Sequence, residues 1–242
     1  MIEAIDLSKR YPDGHLALDA LHLKVAPGEI YCLLGAKGAG KTTTINLFLG
    51  FTAPTAGRAL IDGIDVASEP LRAKARTAFV GESTAFYGRL TTRRNLEYLA
   101  RLGGRTDLTN ADYDMAMREV GLPEPAFRQR ASELEPGMIR KLGVAAALLK
   151  EAPALLLDEP LSGLDPKAAA EIVELLETLR DRGKALLLTL QDLVWARQLA
   201  DRVGILQEGR QILARSRDEL RHESLEKLYL DAMRGVQRPQ GV

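Results

Sequence analysis

The stretch Gly35-Ala36-Lys37-Gly38-Ala39-Gly40-Lys41-Thr42 fits the pattern G-x-x-x-x-G-K-[ST], which joins a strand to a helix. An apolar run, residues 30–34, precedes it, and a second apolar run, residues 45–49, follows it. The first run has the length and composition of a buried strand, and the second lies where the helix of this pattern is expected. The segment therefore predicts a phosphate-binding loop.

Each residue type of this loop has a task in binding phosphate. Glycines let backbone N–H groups turn toward the phosphates, and the helix that follows adds the positive end of its dipole. We expect Lys41 to reach the β and γ phosphates and the Thr42 hydroxyl to hold Mg²⁺. The alternative is an ordinary glycine turn before a helix. The residues expected to contact ATP are Gly35, Ala36, Lys37, Gly38, Ala39, Gly40, Lys41, Thr42 and Thr43.

A second motif places two adjacent acids after a buried strand. In residues 154–159, an apolar run ends in Asp158 and Glu159. We expect Asp158 to hold Mg²⁺, directly or through water, and Glu159 to accept a proton from the attacking water. The alternative is that both acids only solvate the end of a strand.

The order of apolar patterns predicts the fold class. Four short apolar runs, residues 30–34, 154–157, 185–188 and 203–206, indicate strands covered on both faces, as in a parallel sheet. Alternation in residues 21–25 and a turn at Asp62-Gly63 indicate an antiparallel lobe, while Asp165, Pro166 and Gly183 bound a crossover helix. A helical pattern, with Leu96, Leu99 and Ala100 on one face, covers residues 91–121. We therefore predict an α/β fold with a P-loop NTPase core and a parallel sheet, a small N-terminal antiparallel β lobe and an α-helical insertion lobe.

The expected organisation is a single domain, residues 1–242. Residues 1–80 and 150–230 form the nucleotide-binding core with the β lobe, residues 83–149 the helical lobe, and residues 231–242 a flexible tail.

Composition limits the partners. Lys and Arg together number 33, as do Asp and Glu, so the net charge of zero argues against nucleic acid as the main partner. Cys32, the single cysteine, lies in an apolar run and is expected to be buried in a reducing compartment. Apolar stretches fall far short of the roughly 18 residues of a membrane span. We therefore expect a cytoplasmic chain that meets a membrane only through another protein.

With both motifs in place, the chain resembles the ABC ATPase family from about residue 5 to residue 230. The resemblance implies that Tyr11 stacks on adenine, although packing on the small lobe is the alternative. It also implies that residues 161–165, Leu-Ser-Gly-Leu-Asp, form the D-loop that crosses to a partner subunit. Residues 89–99 and 224–230 resemble the insertion lobe and C-terminal helix of single-domain ABC-2 type exporter ATPases.

Three motifs depart from the family pattern. Glu82 occupies the Q-loop place, where the family has a metal-contacting, gate-coupling glutamine, and as an acid it is expected to bind the Mg²⁺ of the bound nucleotide. Glu135 and Pro136 lie in the degenerate signature segment, residues 134–138, before a helix expected over residues 139–150. Gln191 stands where the family has a switch histidine, so we expect it to contact the γ-phosphate and support catalysis with a weaker donor.

The resemblance implies a transporter subunit that binds and hydrolyses Mg-ATP at a dimer interface. It would drive transport, in the export direction, through a separate membrane permease, while lying peripherally on the inner face of the cytoplasmic membrane. The second ATPase subunit is either another copy or, as we prefer, a different chain. The alternatives are a weakly hydrolysing regulatory subunit that clamps a membrane complex and a soluble relative acting on ribosomes or DNA.

Overall fold

The computed structural model describes residues 1–81 and 86–234. In chain order the strands are β1 (Ile2–Arg10), β2 (Leu16–Val25), β3 (Glu29–Leu34), β4 (Ala56–Ile61), β5 (Ile64–Asp65), β6 (Thr77–Val80), β7 (Ala154–Asp158), β8 (Ala185–Leu190), β9 (Arg202–Gln207) and β10 (Arg210–Ser216). The helices are α1 (Lys41–Phe48), α2 (Pro70–Ala75), α3 (Thr92–Leu102), α4 (Asn110–Glu119), α5 (Pro136–Lys150), α6 (Pro166–Asp181), α7 (Leu193–Leu199), α8 (Arg217–Leu220) and α9 (Leu225–Met233).

The larger sheet has six strands in the order β10-β9-β3-β8-β7-β6. Strands β9, β3, β8, β7 and β6 are parallel, and β10 pairs antiparallel with β9 at one edge. The four apolar runs form β3, β7, β8 and β9, which confirms the predicted parallel sheet. The apolar pattern does not mark β6 and β10, because β6 has only four residues and β10 alternates between exposed and half-buried positions at the edge.

Side chains of β3 alternate between two cores. Ile30, Cys32 and Leu34 join the core that contains the apolar faces of α5 and α6, whereas Tyr31 and Leu33 join the core that contains α1 and the antiparallel lobe. Cys32 is fully buried, as predicted, and burial raises the pKa of its thiol far above the ordinary value. The loop before α1 therefore lies at the carboxyl edge of a sheet packed on both faces.

The smaller sheet is the predicted antiparallel lobe, with strand order β2-β1-β4-β5. Asp62 and Gly63 connect β4 to β5 with φ values of +50° and +77°. Two successive positive φ values belong to the type I′ turn, which matches the twist of a tight hairpin. The hairpin prediction is confirmed.

The crossover helix also forms as predicted. Asp165 caps α6 by accepting hydrogen bonds from the backbone N–H groups of Lys167 and Ala168, and Pro166 occupies the first turn. Because β7 and β8 are parallel neighbours, α6 connects them across one face of the sheet.

In the helical region between β6 and β7, one predicted helix boundary is wrong. Leu96 and Ala100 of α3 are buried and Leu99 is half-buried, in agreement with the predicted face. Helix α5, however, begins at Pro136 and not at residue 139. The reason is that proline fits the first turn of a helix, where its missing N–H costs nothing.

A second predicted boundary, at residue 231, is also wrong. Ser224 caps α9, whose residues Leu225 and Leu228 are buried, and the helix continues to Met233. Residues 231–233 are thus helical, where a tail was expected, because the buried side chains anchor this helix on the core. Residues 235–242 lie outside the described residues, and the division of the chain into lobes stays a prediction.

Candidate nucleotide site

The loop between β3 and α1 contains backbone amides that donate to no residue in the described part of the chain. Among the described residues, none accepts a hydrogen bond from the backbone N–H groups of residues 38, 40, 41 and 42. Gly40 precedes α1 with φ +107°, and a Cβ atom there would overlap the carbonyl oxygen of Ala17. Free amides at a helix start, without an acidic residue in the first turn, are what a phosphate group needs.

Lys41 lies buried in this loop, with 6% of its surface exposed. Its Nζ donates to the carbonyl oxygens of Gly35, at 2.7 Å, and Ala36, at 3.3 Å. The same atom is 3.4 Å from Oε1 of Glu159. The structure thus joins the two predicted motifs through one ion pair at the carboxyl edge of the sheet.

Thr42 and Asp158 supply oxygen atoms suited to Mg²⁺. Thr42 Oγ1 lies 3.5 Å from Asp158 Oδ1. No group of three or more His, Cys, Asp or Glu residues in the described part of the chain could hold a metal by itself. One hydroxyl and one carboxylate fit Mg²⁺, which proteins commonly bind through one or two carboxylates together with substrate phosphates. Thr42 and Asp158 would be the ligands from this chain.

Glu159 is held by its backbone as well as its side chain. Its φ of +49° is rare for a residue with a side chain, and its N–H donates to the carbonyl oxygen of Thr189 at 3.2 Å and to its Oγ1 at 2.9 Å. Gln191 Nε2 donates to Glu159 Oε1 at 3.1 Å. The carboxylate therefore lies between an ammonium and an amide, and the side chain of Glu159 is only 12% exposed.

The remaining predicted nucleotide residues have less contact with this centre. Tyr11 follows β1, and its hydroxyl lies 3.4 Å from Thr43 Oγ1, while Lys9 Nζ lies 5.2 Å from the centre of its ring. Lys37 is exposed and forms no hydrogen bond or ion pair with any described residue. Glu82 lies outside the described residues.

The signature segment starts a helix. Glu135 is the N-cap residue of α5, its side chain forms no capping hydrogen bond, and both it and Pro136 are exposed. Arg140, one turn further, is buried and donates to the carbonyl oxygen of Gly81 at 2.5 Å. An acid therefore lies at the helix start, where the family pattern has donors.

One residue of this centre, Thr189, belongs to neither sequence motif. Thr189, fully buried on β8, donates through Oγ1 to Asp158 Oδ1 at 2.6 Å in addition to its bonds with Glu159. The available signal is a single hydroxyl in the otherwise apolar strand Ala-Leu-Leu-Leu-Thr-Leu.

In sequence and in fold, the chain is similar to known ATP-binding proteins. A family model described as "ABC transporter" matches residues 18–162. The chain is 38% identical over 224 residues to daunorubicin resistance ATP-binding protein DrrA3 of Streptomyces coeruleorubidus, covering 89% of this chain and 68% of that protein. It is 37% identical over 211 residues to Nod factor export ATP-binding protein I of Burkholderia pseudomallei, covering 87% of this chain and 69% of that protein.

A solved structure described as the ATP-binding subunit of an ABC transporter superposes with a TM-score of 0.85 at 29% identity, covering 96% of this chain and 99% of that chain. The predicted α/β P-loop NTPase fold is thereby confirmed. The roles of individual site residues stay predictions. In the described ranges, no helix has the length and apolar character to cross a membrane.

Proposed function

This chain belongs to the ABC transporter family as an ATP-binding subunit and ATPase, and on that premise we propose that it hydrolyses Mg-ATP at a dimer interface to drive export through a separate membrane permease. The observation that carries the proposal is Glu159, held between Lys41 Nζ at 3.4 Å and Gln191 Nε2 at 3.1 Å beside the phosphate-binding loop.

The roles follow from the donors and acceptors. The free amides of the loop and Lys41 bind the phosphate oxygens, and Tyr11 offers a ring face to adenine. Glu159 orients the attacking water and accepts its proton on a side-chain oxygen, while Gln191 holds that carboxylate and donates to the γ-phosphate. Mg²⁺, held by Thr42 and Asp158, would neutralise charge that develops on the phosphates. Glu82, by its place in the Q-loop, and Lys37, by its charge in the phosphate-binding loop, are proposed as further contacts.

Export and a membrane partner are proposed from the relatives. One relative is named for daunorubicin resistance and another for Nod factor export, and both are described as ATP-binding proteins. We extend to this chain the arrangement in which the ATPase lies on the cytoplasmic face of the membrane, attached through its permease. A net charge of zero agrees with attachment through protein and not through anionic lipid.

The second ATPase subunit is proposed to be a different chain. In the family geometry each ATP lies between the loop of one subunit and the signature segment of the other. Glu135 would then place a negative charge near the ATP of the partner, and Pro136 removes a donor. A homodimer would carry this defect at both sites, whereas a heterodimer would leave the ATP bound at Lys41 facing an intact signature.

The test is Glu159→Gln in the complex isolated with its membrane partner. We expect ATP to stay bound while phosphate release falls at least about a hundredfold, because the amide cannot accept the proton of water. Glu174→Gln, an exposed position on α6 with no ion pair to a described residue, is the matched control and should match the parent. Parent-rate hydrolysis by Glu159→Gln would remove Glu159 as the base. ATP binding without turnover in the parent complex would favour the regulatory alternative.

A further inference from the structure

A buried threonine on β8 links the two acids at the end of β7. Thr189 is fully buried, its hydroxyl donates to Asp158 Oδ1 at 2.6 Å, and it accepts from the N–H of Glu159 at 2.9 Å. Chemistry fixes both directions, because an ionised carboxylate only accepts and a backbone N–H only donates. The single hydroxyl therefore uses its proton on one acid and a lone pair on the next.

The register of the sheet puts this hydroxyl on the nucleotide side. Thr189 pairs with Asp158 across the parallel ladder, and side chains alternate along each strand. Leu187, two residues earlier, and Leu156, two residues before Asp158, belong to the core that contains α1. Thr189 and Asp158 therefore lie on the same face of the sheet as Thr42 in α1.

The two bonds have distinct consequences for the acids. Asp158 Oδ1 accepts from Thr189, whereas Oδ2 accepts no hydrogen bond from any residue in the described ranges. The carboxylate is thereby fixed in rotation, with its second oxygen available to a cation. At Glu159 the hydroxyl and the carbonyl of Thr189 share one N–H, which holds the backbone in its unusual left-handed conformation.

We propose that Thr189 is a positioning residue of the nucleotide site, whose hydroxyl fixes Asp158 for Mg²⁺ and the backbone of Glu159 for catalysis. The inference rests on the proposed function, since it takes Mg-ATP as the ligand. A hydroxyl that is merely satisfied in the core would affect stability but not the response of the site to Mg²⁺.

The experiment compares Thr189→Val, which keeps the branched shape and removes the hydroxyl, with Thr189→Ser, which keeps it. ATP binding to the full chain is measured by calorimetry in Mg²⁺ and in EDTA. The Kd in EDTA divided by the Kd in Mg²⁺ reports how much the metal contributes to binding. We expect Thr189→Val to reduce this ratio about tenfold, which corresponds to about 1.4 kcal/mol, as for one hydrogen bond to a charged group. Thr189→Ser should stay within about threefold of the parent.

Thr77→Val is the matched control. Thr77 is a buried threonine of β6 whose hydroxyl donates to the carbonyl oxygen of Ala73, and it lies at the amino end of its strand, away from the nucleotide loop. This variant should lower the midpoint temperature of thermal unfolding without changing the ratio of the Kd in EDTA to the Kd in Mg²⁺. If Thr189→Val does not fold, Thr189→Ala is measured against Thr189→Ser in the same way.

The proposal is overturned if Thr189→Val keeps the parent ratio, or if Thr189→Ser loses it as fully as Thr189→Val. A parent chain that does not bind ATP in Mg²⁺ would instead overturn the proposed function, and with it the premise of this inference. The two failures are therefore distinguishable in one set of titrations.

Discussion

Replacing Lys41 tests whether the loop binds ATP at all. Lys41→Met removes the ammonium and keeps most of the aliphatic stem, so the buried space stays filled. The change removes the hydrogen bonds that Nζ donates to the carbonyl oxygens of Gly35 and Ala36, at 2.7 and 3.3 Å. It also removes the ion pair with Glu159 at 3.4 Å. In the nucleotide complex the same ammonium is proposed to contact the β and γ phosphates.

The size of the effect follows from these contacts. A hydrogen bond to a charged group contributes about 1.5–3 kcal/mol, which predicts ATP binding about ten- to a hundredfold weaker. Two unit charges 3.4 Å apart at an effective dielectric constant near 20 interact by about 5 kcal/mol, and this value is a ceiling for the pair with Glu159. Since Gln191 still donates to Glu159 in the variant, we expect a much smaller loss, about 1–2 kcal/mol, in the free energy of unfolding.

Calorimetric titration of ATP, together with denaturant unfolding, measures both quantities. Lys74→Met is the control, because Lys74 is exposed on α2 and forms no ion pair with a described residue, and it should bind ATP like the parent. A double-mutant cycle with Glu159→Gln isolates the coupling between the two side chains. If folded Lys41→Met bound ATP with parent affinity, the nucleotide site would be wrongly assigned.

Two further predictions concern the positions that depart from the family pattern. Gln191→His should raise the hydrolysis rate of the assembled complex about fivefold, because a charged donor contributes about 1 kcal/mol more than a neutral amide. Gln191→Ala should lower that rate. If neither variant changed the rate, Gln191 would have no part in the reaction. Restoring donors with Glu135→Ser and Pro136→Gly should raise phosphate release by the purified chain alone, since a homodimer meets its own signature segment. Fast hydrolysis by the parent chain alone, unchanged by this restoration, would contradict the heterodimer proposal.

Sequence patterns predict those parts of the structure that local chemistry determines. The phosphate loop and the pair Asp158-Glu159 are recognisable because each follows a buried apolar strand, and the strands themselves are short runs that only a covered sheet accepts. Strand β6 has four residues at a sheet edge, and its apolar run, residues 78–80, is shorter than the runs that mark the other strands. Helix α5 begins three residues before the predicted start, because Pro136 fits the first turn of a helix.

Thr189 shows a different kind of limit. Its bond to Asp158 joins residues 31 positions apart and depends on the register between β7 and β8. Apolar patterns predict that both strands exist, but they do not fix which residue of one lies opposite which residue of the other. The contact is therefore evident only in the structure, although the single hydroxyl in a leucine-rich strand marks Thr189 as unusual.

The departures from the family pattern fall unevenly between the two halves of the proposed site. Lys41 and Glu159 are proposed to act on the nucleotide that this chain binds, and an ion pair within the chain joins them. Glu135 and Pro136 serve, in the family geometry, only the nucleotide of the opposing subunit. A residue that acts only on an opposing site that need not turn over is free to change, whereas loss of Glu159 would stop turnover at this chain's own site. Retention of the acid beside an altered signature segment therefore fits the proposed heterodimer with one fast and one slow site, in which Gln191 is proposed to set the rate at the fast one.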